Sequence, residues 1–409
     1  MAKNENNRHN KCSIRPVYTV AKSVAKIVCL SALAIGCYSH AATAIQNTPT
    51  QNPSMQNPLM QNGVAPNPMP SYPTADAQLG EHLFPNEAMY SQQIGMELEK
   101  LIRKRDAGGV AMRDVHAKAH GCVKAQLTIL NQIPTQLKKG IFSHAQSYPA
   151  WVRFSNGSNN PQQADIKGDA RGMAIKVMNV PGQKLLEDES QTSAQDFILI
   201  NHPVFFANDP DRYLSLMKSI NGNLFRKVMI PFALGFKGTK IAFQTTRSKI
   251  ANPLQTRYWS MTPYQLGLDT NRSAVKYSVR PCTAQQDAIP KHPDHNYLRG
   301  ALKNTLSNGS ACMEFLIQPR TSSAMSVEDS MTEWKESDAP FYKVATLQFA
   351  PQTFDTTAQN QMCENLSFSP WHALPDHKPL GATNRLRKGV YDHISQVRHQ
   401  LNAVPRQVP

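Results

Sequence analysis

Apolar residues recur at helical spacing in two stretches, one near each end of the region that the pattern predicts to fold. The first stretch runs from Met89 to Asp106 and is followed by a Gly-Gly pair, a common helix stop. The second runs from Asn384 to Ala403. Its apolar stripe consists of Leu386, Val390, Ile394, Val397 and Leu401. This spacing predicts an amphipathic helix in each stretch.

Between these two stretches the pattern changes to short apolar runs separated by turns and longer loops. The predicted strands are Trp151–Ser155, Ala174–Val180, Phe197–Ile200, Val275–Val279, Cys312–Ile317 and Val344–Phe349. The runs do not alternate regularly with helices, so the pattern favours an antiparallel sheet or barrel over repeated βαβ units.

Residues 1–84 differ in composition from the rest of the chain. Six Lys and Arg residues precede an apolar run at Ile27–Ile35, and small residues follow, which predicts a signal peptide at 1–44 and a periplasmic or secreted protein. The apolar run is short for a membrane anchor, and no integral membrane segment is expected in the mature form. Lipidation at Cys37 stays open as an alternative. Residues 45–84, rich in Asn, Gln and Pro, are predicted to form a disordered linker before a domain at 85–409.

Charge and cysteine content argue against a nucleic-acid-binding protein and against a zinc site. The formal net charge is +15, and removal of the predicted leader, with six basic residues and one Glu, leaves +10. The basic residues are scattered and no nucleic-acid motif accompanies them, so a nucleic-acid partner is not expected. Four cysteines remain after the leader, an even set that an oxidising compartment could pair. None forms a CxxC motif, which argues against a zinc site.

The C-terminal helix carries a pair of residues with a specific chemical use. Arg387 and Tyr391 are four residues apart and therefore lie on the same helix face. A neighbouring guanidinium stabilises a phenolate, and a phenolate can bind haem iron. His116, far away in the sequence, could supply the imidazole that peroxide chemistry on such an iron requires.

Five segments in order resemble the catalase family. They are Arg113–Gly121, Val152–Ser155, Asp169–Lys176, Asn201–Phe206 with the following Asp209-Pro210, and Arg387-xxx-Tyr391. The resemblance covers about residues 85–400 and lacks a large C-terminal extension, as in small bacterial catalase-related haem peroxidases. It implies an α+β fold with an antiparallel β-barrel core and surrounding helices, haem b as cofactor, and a peroxide substrate.

The resemblance also implies the roles of individual cofactor-binding residues. Tyr391 corresponds to the axial iron ligand, and Arg387 to its cationic partner. Arg113 and Arg153 correspond to arginines that bind the haem propionates, because a guanidinium presents several donors to a carboxylate. Tyr213 falls where the family has an aromatic residue against the haem.

Catalytic roles follow in the same way, with one departure from the family. His116 corresponds to the distal acid and base, and Ser155 to the serine that orients it. The family has an asparagine before the Pro-x-Phe-Phe segment, but a gap-free match places Ile200 there and Asn201 one residue later. A shift of one residue reverses the face of a strand, so Asn201 can take this role only if the strand bulges.

The predicted function is a haem-dependent catalase or peroxidase acting on hydrogen peroxide or organic peroxides. Two alternatives stay open: an enzyme that rearranges hydroperoxides, and a non-catalytic haem-binding protein. Because Ile200 has no amide, fast dismutation of hydrogen peroxide is less expected than reactions of organic peroxides. The sequence predicts no oligomeric state.

Overall fold

The computed structural model of the chain describes residues 72–186 and 192–406. The predicted signal peptide, Cys37 and most of the predicted linker lie outside these described residues. Within them there are nine strands and seven α-helices.

The strands form one antiparallel sheet that closes into a barrel. They are β1 Ala119–Ile129, β2 Ser147–Asn156, β3 Arg171–Val177, β4 Gln195–Ile200, β5 Tyr258–Trp259, β6 Tyr264–Leu266, β7 Ser273–Pro281, β8 Ala311–Pro319 and β9 Tyr342–Phe349. The hydrogen-bonded order is β5-β4-β3-β2-β1-β9-β8-β7, and β5 pairs again with β7. These eight strands close the barrel, and β6 continues the sheet beyond β7. The expected antiparallel β-barrel with surrounding helices is confirmed.

Seven helices accompany the barrel. They are α1 Glu87–Arg105, α2 Pro210–Asn221, α3 Leu224–Val228, α4 Ile230–Thr246, α5 Tyr297–Asn308, α6 Thr357–Asn365 and α7 Ala382–Leu401. The two helices predicted from apolar spacing correspond to α1 and α7. None of the helices in the described ranges is long and apolar enough to cross a membrane.

Two separate apolar clusters hold these elements in place. Aromatic side chains fill the barrel, where the rings of Phe142, Phe197, Tyr277 and Phe315 lie within 6.4 Å of one another. A second cluster outside the barrel joins α1, α2 and α7 through their apolar faces. Burial of these faces fixes α7 beside the barrel, which positions the candidate site.

The packed domain begins before residue 85. Arg385 on α7 donates hydrogen bonds to Glu81, Glu87 and Glu328, and its side chain is fully buried. Glu81 is itself 4% exposed and belongs to the segment that precedes α1. The domain therefore includes residues 72–84, which the sequence analysis assigned to the linker, because charged groups of that segment are paired inside the fold.

All four cysteines in the described ranges are paired. One disulfide joins Cys122 on β1 to Cys363 on α6, and the other joins Cys282 to Cys312. The first ties the segment that carries α6 to the barrel wall. The sequence indicated an even set without indicating these pairs.

Candidate functional site

A cavity of about 680 Å³ lies between the barrel strands β2–β4 and the helices α1, α2, α4 and α7. His116, Ser155, Arg387 and Tyr391 all line it. These residues come from both ends of the domain, and the packing of α7 against α1 brings them to one cavity. Its volume is within the range of small-molecule and cofactor sites.

His116 is held from several directions. Its backbone is in the left-handed region (φ 57°), and its N–H donates to the Gly157 carbonyl at 3.1 Å. Arg153 donates to the His116 carbonyl at 2.9 Å, and the imidazole Nδ1 lies 3.0 Å from Ser155 Oγ. With Nδ1 occupied, Nε2 is the ring nitrogen that remains available to a bound molecule.

Gly172 on β3 leaves the space that the imidazole occupies. A Cβ atom at this position would lie 2.5 Å from His116 Nδ1 and 2.7 Å from Ser155 Oγ. Both distances are below van der Waals contact, so a side chain at residue 172 would displace the histidine or the serine. The strand therefore needs glycine here for close approach rather than for an unusual backbone angle.

The imidazole of His116 is neutral near pH 7. Burial lowers the pKa of His116 to about 4, and the positive charge of Arg153 acts in the same direction. A buried imidazole surrounded by guanidinium groups disfavours a further positive charge. The ring can therefore accept a proton from a bound molecule over a wide pH range.

Arg387 and Tyr391 form a directly bonded pair on α7. Arg387 donates to the Tyr391 hydroxyl at 2.9 Å and to Asn384 Oδ1 at 3.2 Å. Burial by itself would lower the pKa of Arg387, but the neighbouring Tyr391 and Tyr264 raise it above its ordinary value. The guanidinium therefore stays charged and donates directly to the Tyr391 oxygen.

Three arginines surround one carboxylate at another part of the cavity. Arg113 lies 2.8 Å from Glu364, Arg398 also lies 2.8 Å from it, and Arg153 lies 3.8 Å away. The cluster has a formal excess of two positive charges. Within the described residues, the buried Nε atoms of Arg153 and Arg398 have no hydrogen-bond partner.

This arginine cluster fits a ligand with two acid groups. Burial lowers the pKa of Arg153 to about 9 and that of Arg398 to about 10, and both are further lowered by Arg113. Additional anions would relieve this repulsion and satisfy the free donors. The site thus combines an apolar cavity, a phenol beside a guanidinium, a neutral imidazole and a cationic rim.

Comparison with known proteins shows similarity to catalases over part of the chain. The Catalase family model matches residues 94–228. A catalase-related peroxidase from Mycolicibacterium paratuberculosis is 25% identical over 180 residues, 42% of this chain and 54% of that protein. A catalase from Staphylococcus epidermidis is 30% identical over 109 residues, which cover 26% of this chain and 19% of that protein.

Solved structures agree with the fold. Catalase A from Saccharomyces cerevisiae has a TM-score of 0.57 at 18% identity and covers 73% of this chain. A bacterial catalase has a TM-score of 0.57 at 19% identity and covers 84% of this chain. Residues 94–228 match the catalase family, and the described residues have the catalase fold. The matches span about half of the mycobacterial relative and about 65% of each of these two catalase structures.

The catalase family is haem-dependent in general, and the matched residues 94–228 include His116, Ser155 and two of the cluster arginines. They do not extend to Arg387 and Tyr391. The pairing of these two residues comes from the geometry of α7 alone. Arg387 and Tyr391 nevertheless line the same cavity as the residues of the matched range.

Tyr213, which the resemblance to catalases assigns to the haem, also contributes to the cavity. It is on α2, lines the cavity and packs edge to face on Phe205, with ring centroids 5.5 Å apart. Burial raises its pKa, so its hydroxyl stays protonated.

Asn201 does not line the cavity, whereas Ile200 does. The Asn201 side chain accepts from the Arg171 backbone N–H at 2.6 Å and donates to Ser248 Oγ at 2.8 Å. Residue 201 follows the last residue of β4, and no bulge reverses its direction. The structure therefore places the Asn201 side chain outside the cavity, and Ile200 presents an apolar side chain to it.

Sequence reasoning missed three residues of this site: Gly172, Glu364 and Arg398. Arg398 follows Tyr391 by seven residues, two helical turns, so its shared face with the tyrosine was a readable signal. Gly172 lies inside a segment already matched to the family. Glu364 is on α6, which apolar spacing did not predict, and nothing in its local sequence indicates its buried position among arginines.

Proposed function

We propose that this catalase-family protein is a haem b-dependent oxidoreductase that acts on peroxides. One observation carries the proposal: a hydrogen-bonded His116–Ser155 pair and a hydrogen-bonded Arg387–Tyr391 pair line the same cavity. This is the combination of a proton-transfer group and an anionic oxygen ligand that peroxide cleavage on iron requires.

The residues around the cavity divide the binding of haem among them. Tyr391 would bind the iron, and Arg387 would keep its oxygen anionic. Arg113, Arg153 and Arg398 would bind the two propionates, whose charge matches the excess of the cluster. When bound, the haem supplies the redox chemistry that breaks the peroxide O–O bond.

His116 would move the proton during that reaction. Its neutral imidazole can accept a proton from one peroxide oxygen and return it to the other, which makes the departing oxygen a better leaving group. Ser155 holds Nδ1, so the transfer occurs at Nε2. Arg153 fixes the backbone of His116, and burial together with the Arg153 charge keeps the resting imidazole unprotonated.

Ile200 favours an organic peroxide as substrate. In place of an amide that could hold hydrogen peroxide, the cavity presents an apolar group, and Leu199, Phe206 and Leu234 line the same cavity. Apolar walls bind the organic part of a hydroperoxide better than they bind hydrogen peroxide itself. Rearrangement of an organic hydroperoxide is therefore a second candidate, carried by the same observation.

Absorption spectra test the central proposal. We expect the haem-supplied wild type to show a Soret band that is altered or lost in Tyr391→Phe. Tyr342→Phe, a half-buried tyrosine on β9 outside the cavity, should leave the spectrum unchanged. Consumption of hydrogen peroxide and of an organic hydroperoxide by the same samples then separates the two candidates. A wild type that binds no haem would reject the proposed function.

We further propose that the protein works in the periplasm or is secreted. The predicted signal peptide at 1–44 supports this, and so do the two disulfides, since such bonds persist in oxidising compartments. Fractionation of a bacterial host that expresses the full chain should recover the protein outside the cytoplasm with residues 1–44 removed. A full-length cytoplasmic product would contradict this assignment.

A further inference from the structure

One long segment of the chain is basic without any acidic residue. Between residues 213 and 268 there is no Asp or Glu. The same segment has eight basic residues: Lys218, Arg226, Lys227, Lys237, Lys240, Arg247, Lys249 and Arg257. Elsewhere the described domain often pairs acidic and basic side chains that are close in sequence or on neighbouring strands, whereas Lys237 and Arg257 of this segment pair only with Asp329 and Glu336 outside it.

The same segment exposes large apolar side chains. The chain has 15 phenylalanines, and the four that are exposed all lie here, on α3 and α4. They are Phe225 at 72% exposed, Phe232 at 74%, Phe236 at 90% and Phe243 at 59%. Leu224 and Val228 are exposed beside them. We call residues 224–243 the α3–α4 surface.

The other side of this segment forms a wall of the cavity. Ile230, Leu234 and Ala242 line the cavity, whereas Phe232 and Phe236 point to solvent. Gly235 interrupts α4 with φ 66° and ψ 179°, a combination that essentially only glycine adopts. The outward apolar groups are thus presented by an element whose inner face is already packed.

We propose that the α3–α4 surface docks on an anionic lipid membrane. Exposed phenylalanines insert at the boundary of headgroups and acyl chains, while nearby Lys and Arg residues bind anionic headgroups. Lys237 pairs with Asp329, but Arg226, Lys227 and Lys240 make no ion pair with any residue that the structure describes. These three cations stand among the exposed phenylalanines in the sequence and are free to meet headgroups.

A lipid partner explains the surface better than a second copy of the chain does. In a two-fold interface the same patch meets itself, so Arg226, Lys227 and Lys240 would lie against a surface that carries the same three cations and no acidic residue of the segment. An anionic bilayer offers both the apolar layer and the opposite charge. The docking requires only the folded chain and is independent of haem binding and peroxide turnover.

Vesicle sedimentation tests this proposal on the whole protein. We expect binding to phosphatidylcholine vesicles that contain phosphatidylglycerol, with little binding to pure phosphatidylcholine. Arg226→Gln/Lys227→Gln should weaken binding about 25-fold, since each cation near the surface contributes about fivefold. The matched control Lys291→Gln/Lys303→Gln removes two exposed charges elsewhere and should weaken it far less.

A second pair of variants tests the apolar contribution. Phe232→Ser/Phe236→Ser should weaken binding by at least about tenfold at unchanged charge, whereas Met96→Ser/Val110→Ser, exposed elsewhere, should not. Equal losses in surface and control variants would overturn the proposal, because binding would then follow net charge alone. A wild type that self-associates without binding vesicles, and that Phe232→Ser/Phe236→Ser converts to a monomer, would overturn it in favour of a second copy.

Discussion

The imidazole Nδ1 of His116 and the hydroxyl oxygen of Ser155 lie 3.0 Å apart, on an irregular loop and on strand β2 respectively. The loop residue alone could rotate, but the strand residue is fixed by the barrel. The barrel therefore determines which nitrogen of the histidine faces the cavity. This relationship makes His116 the residue whose removal is most informative.

We predict that His116→Ala keeps the bound haem and loses most of the turnover. Loss of a positioned acid–base group costs about 10²- to 10⁴-fold in rate, while the proposed iron and propionate ligands remain. The measurement is peroxide consumption per bound haem, with the exposed His144→Ala as control. Unchanged turnover in haem-loaded His116→Ala would reject the catalytic role and favour a non-catalytic haem-binding protein.

Gly172→Ala should lower turnover much more than it lowers the free energy of unfolding. The added methyl group would meet His116 Nδ1 and Ser155 Oγ at 2.5 and 2.7 Å, so the histidine must move. We expect at least about a tenfold decrease in turnover, since small misplacements of catalytic groups have effects of this size. Gly300→Ala on α5, where a Cβ meets nothing within 4 Å, is the control and should keep full activity. Equal activity of the two variants would contradict the close approach.

The pH profile of turnover should extend to unusually acidic conditions. An unperturbed histidine has a pKa near ~6.5, and burial lowers that of His116 to about 4. We expect the acid limb of kcat/KM near pH 4, because the free protein keeps its base unprotonated down to that value. A limb near pH 6.5 would mean that the imidazole is solvated rather than buried.

The lowered pKa of His116 also makes the free energy of unfolding depend on pH. The unfolded chain binds a proton at His116 below about pH 6.5, whereas the native chain binds it only below about 4. Between these values the unfolded state holds more protons, so the free energy of unfolding decreases as the pH falls. His120 and His377, both with a pKa lowered to about 3 by burial, act in the same direction. Denaturant unfolding at pH 7 and pH 5 measures the sum.

The sequence predicted the barrel better than it predicted the helices beside it. Strand β3 and helix α7 have strong periodic signals, and each was predicted within about three residues of its bounds. Helix α4 was missed because it is apolar on both sides, one against the cavity and one toward solvent. Strand β1 was missed because it begins with a register shift at Ala119 and then buries consecutive residues instead of alternate ones.

The candidate site was predictable where residues act through local spacing. Arg387 and Tyr391 are one helical turn apart, so their contact follows from the helix alone. The Glu364 cluster joins α6 to the loop before β1 and to β2, over more than 200 residues of sequence. No local pattern encodes such a contact. The position of Asn201 depended on one residue of strand register, which only the three-dimensional structure resolves.

Ile200→Asn tests whether the apolar side chain at this position accounts for the proposed preference for organic peroxides. An amide at this cavity-lining position should raise turnover of hydrogen peroxide relative to an organic hydroperoxide, because it supplies the polar contact that the apolar wall lacks. The ratio of the two rates is the measurement. Asn201→Ala should leave that ratio unchanged, since its amide is bonded to Arg171 and Ser248 instead. A changed ratio in Asn201→Ala alone would restore the original assignment.

Arg385 should be the most sensitive position for stability outside the site. Its side chain is fully buried and donates to Glu81, Glu87 and Glu328, so Arg385→Met leaves three carboxylates without their shared cation. Removing one partner from such a cluster costs about 3–5 kcal/mol of unfolding free energy. Lys100→Met, which removes an exposed pair with Glu97, is the control and should change it by less than about 0.5 kcal/mol.

The pH dependence of the Arg385→Met variant distinguishes lost charge from lost packing. Unpaired carboxylates bind protons more readily, so the deficit relative to wild type should shrink as the pH is lowered from 7 to 5. Denaturant unfolding of both proteins at the two pH values measures this difference. A deficit that stays constant would assign the effect to the missing guanidinium volume. It would then follow that the segment before α1 is held by packing and not by its glutamates.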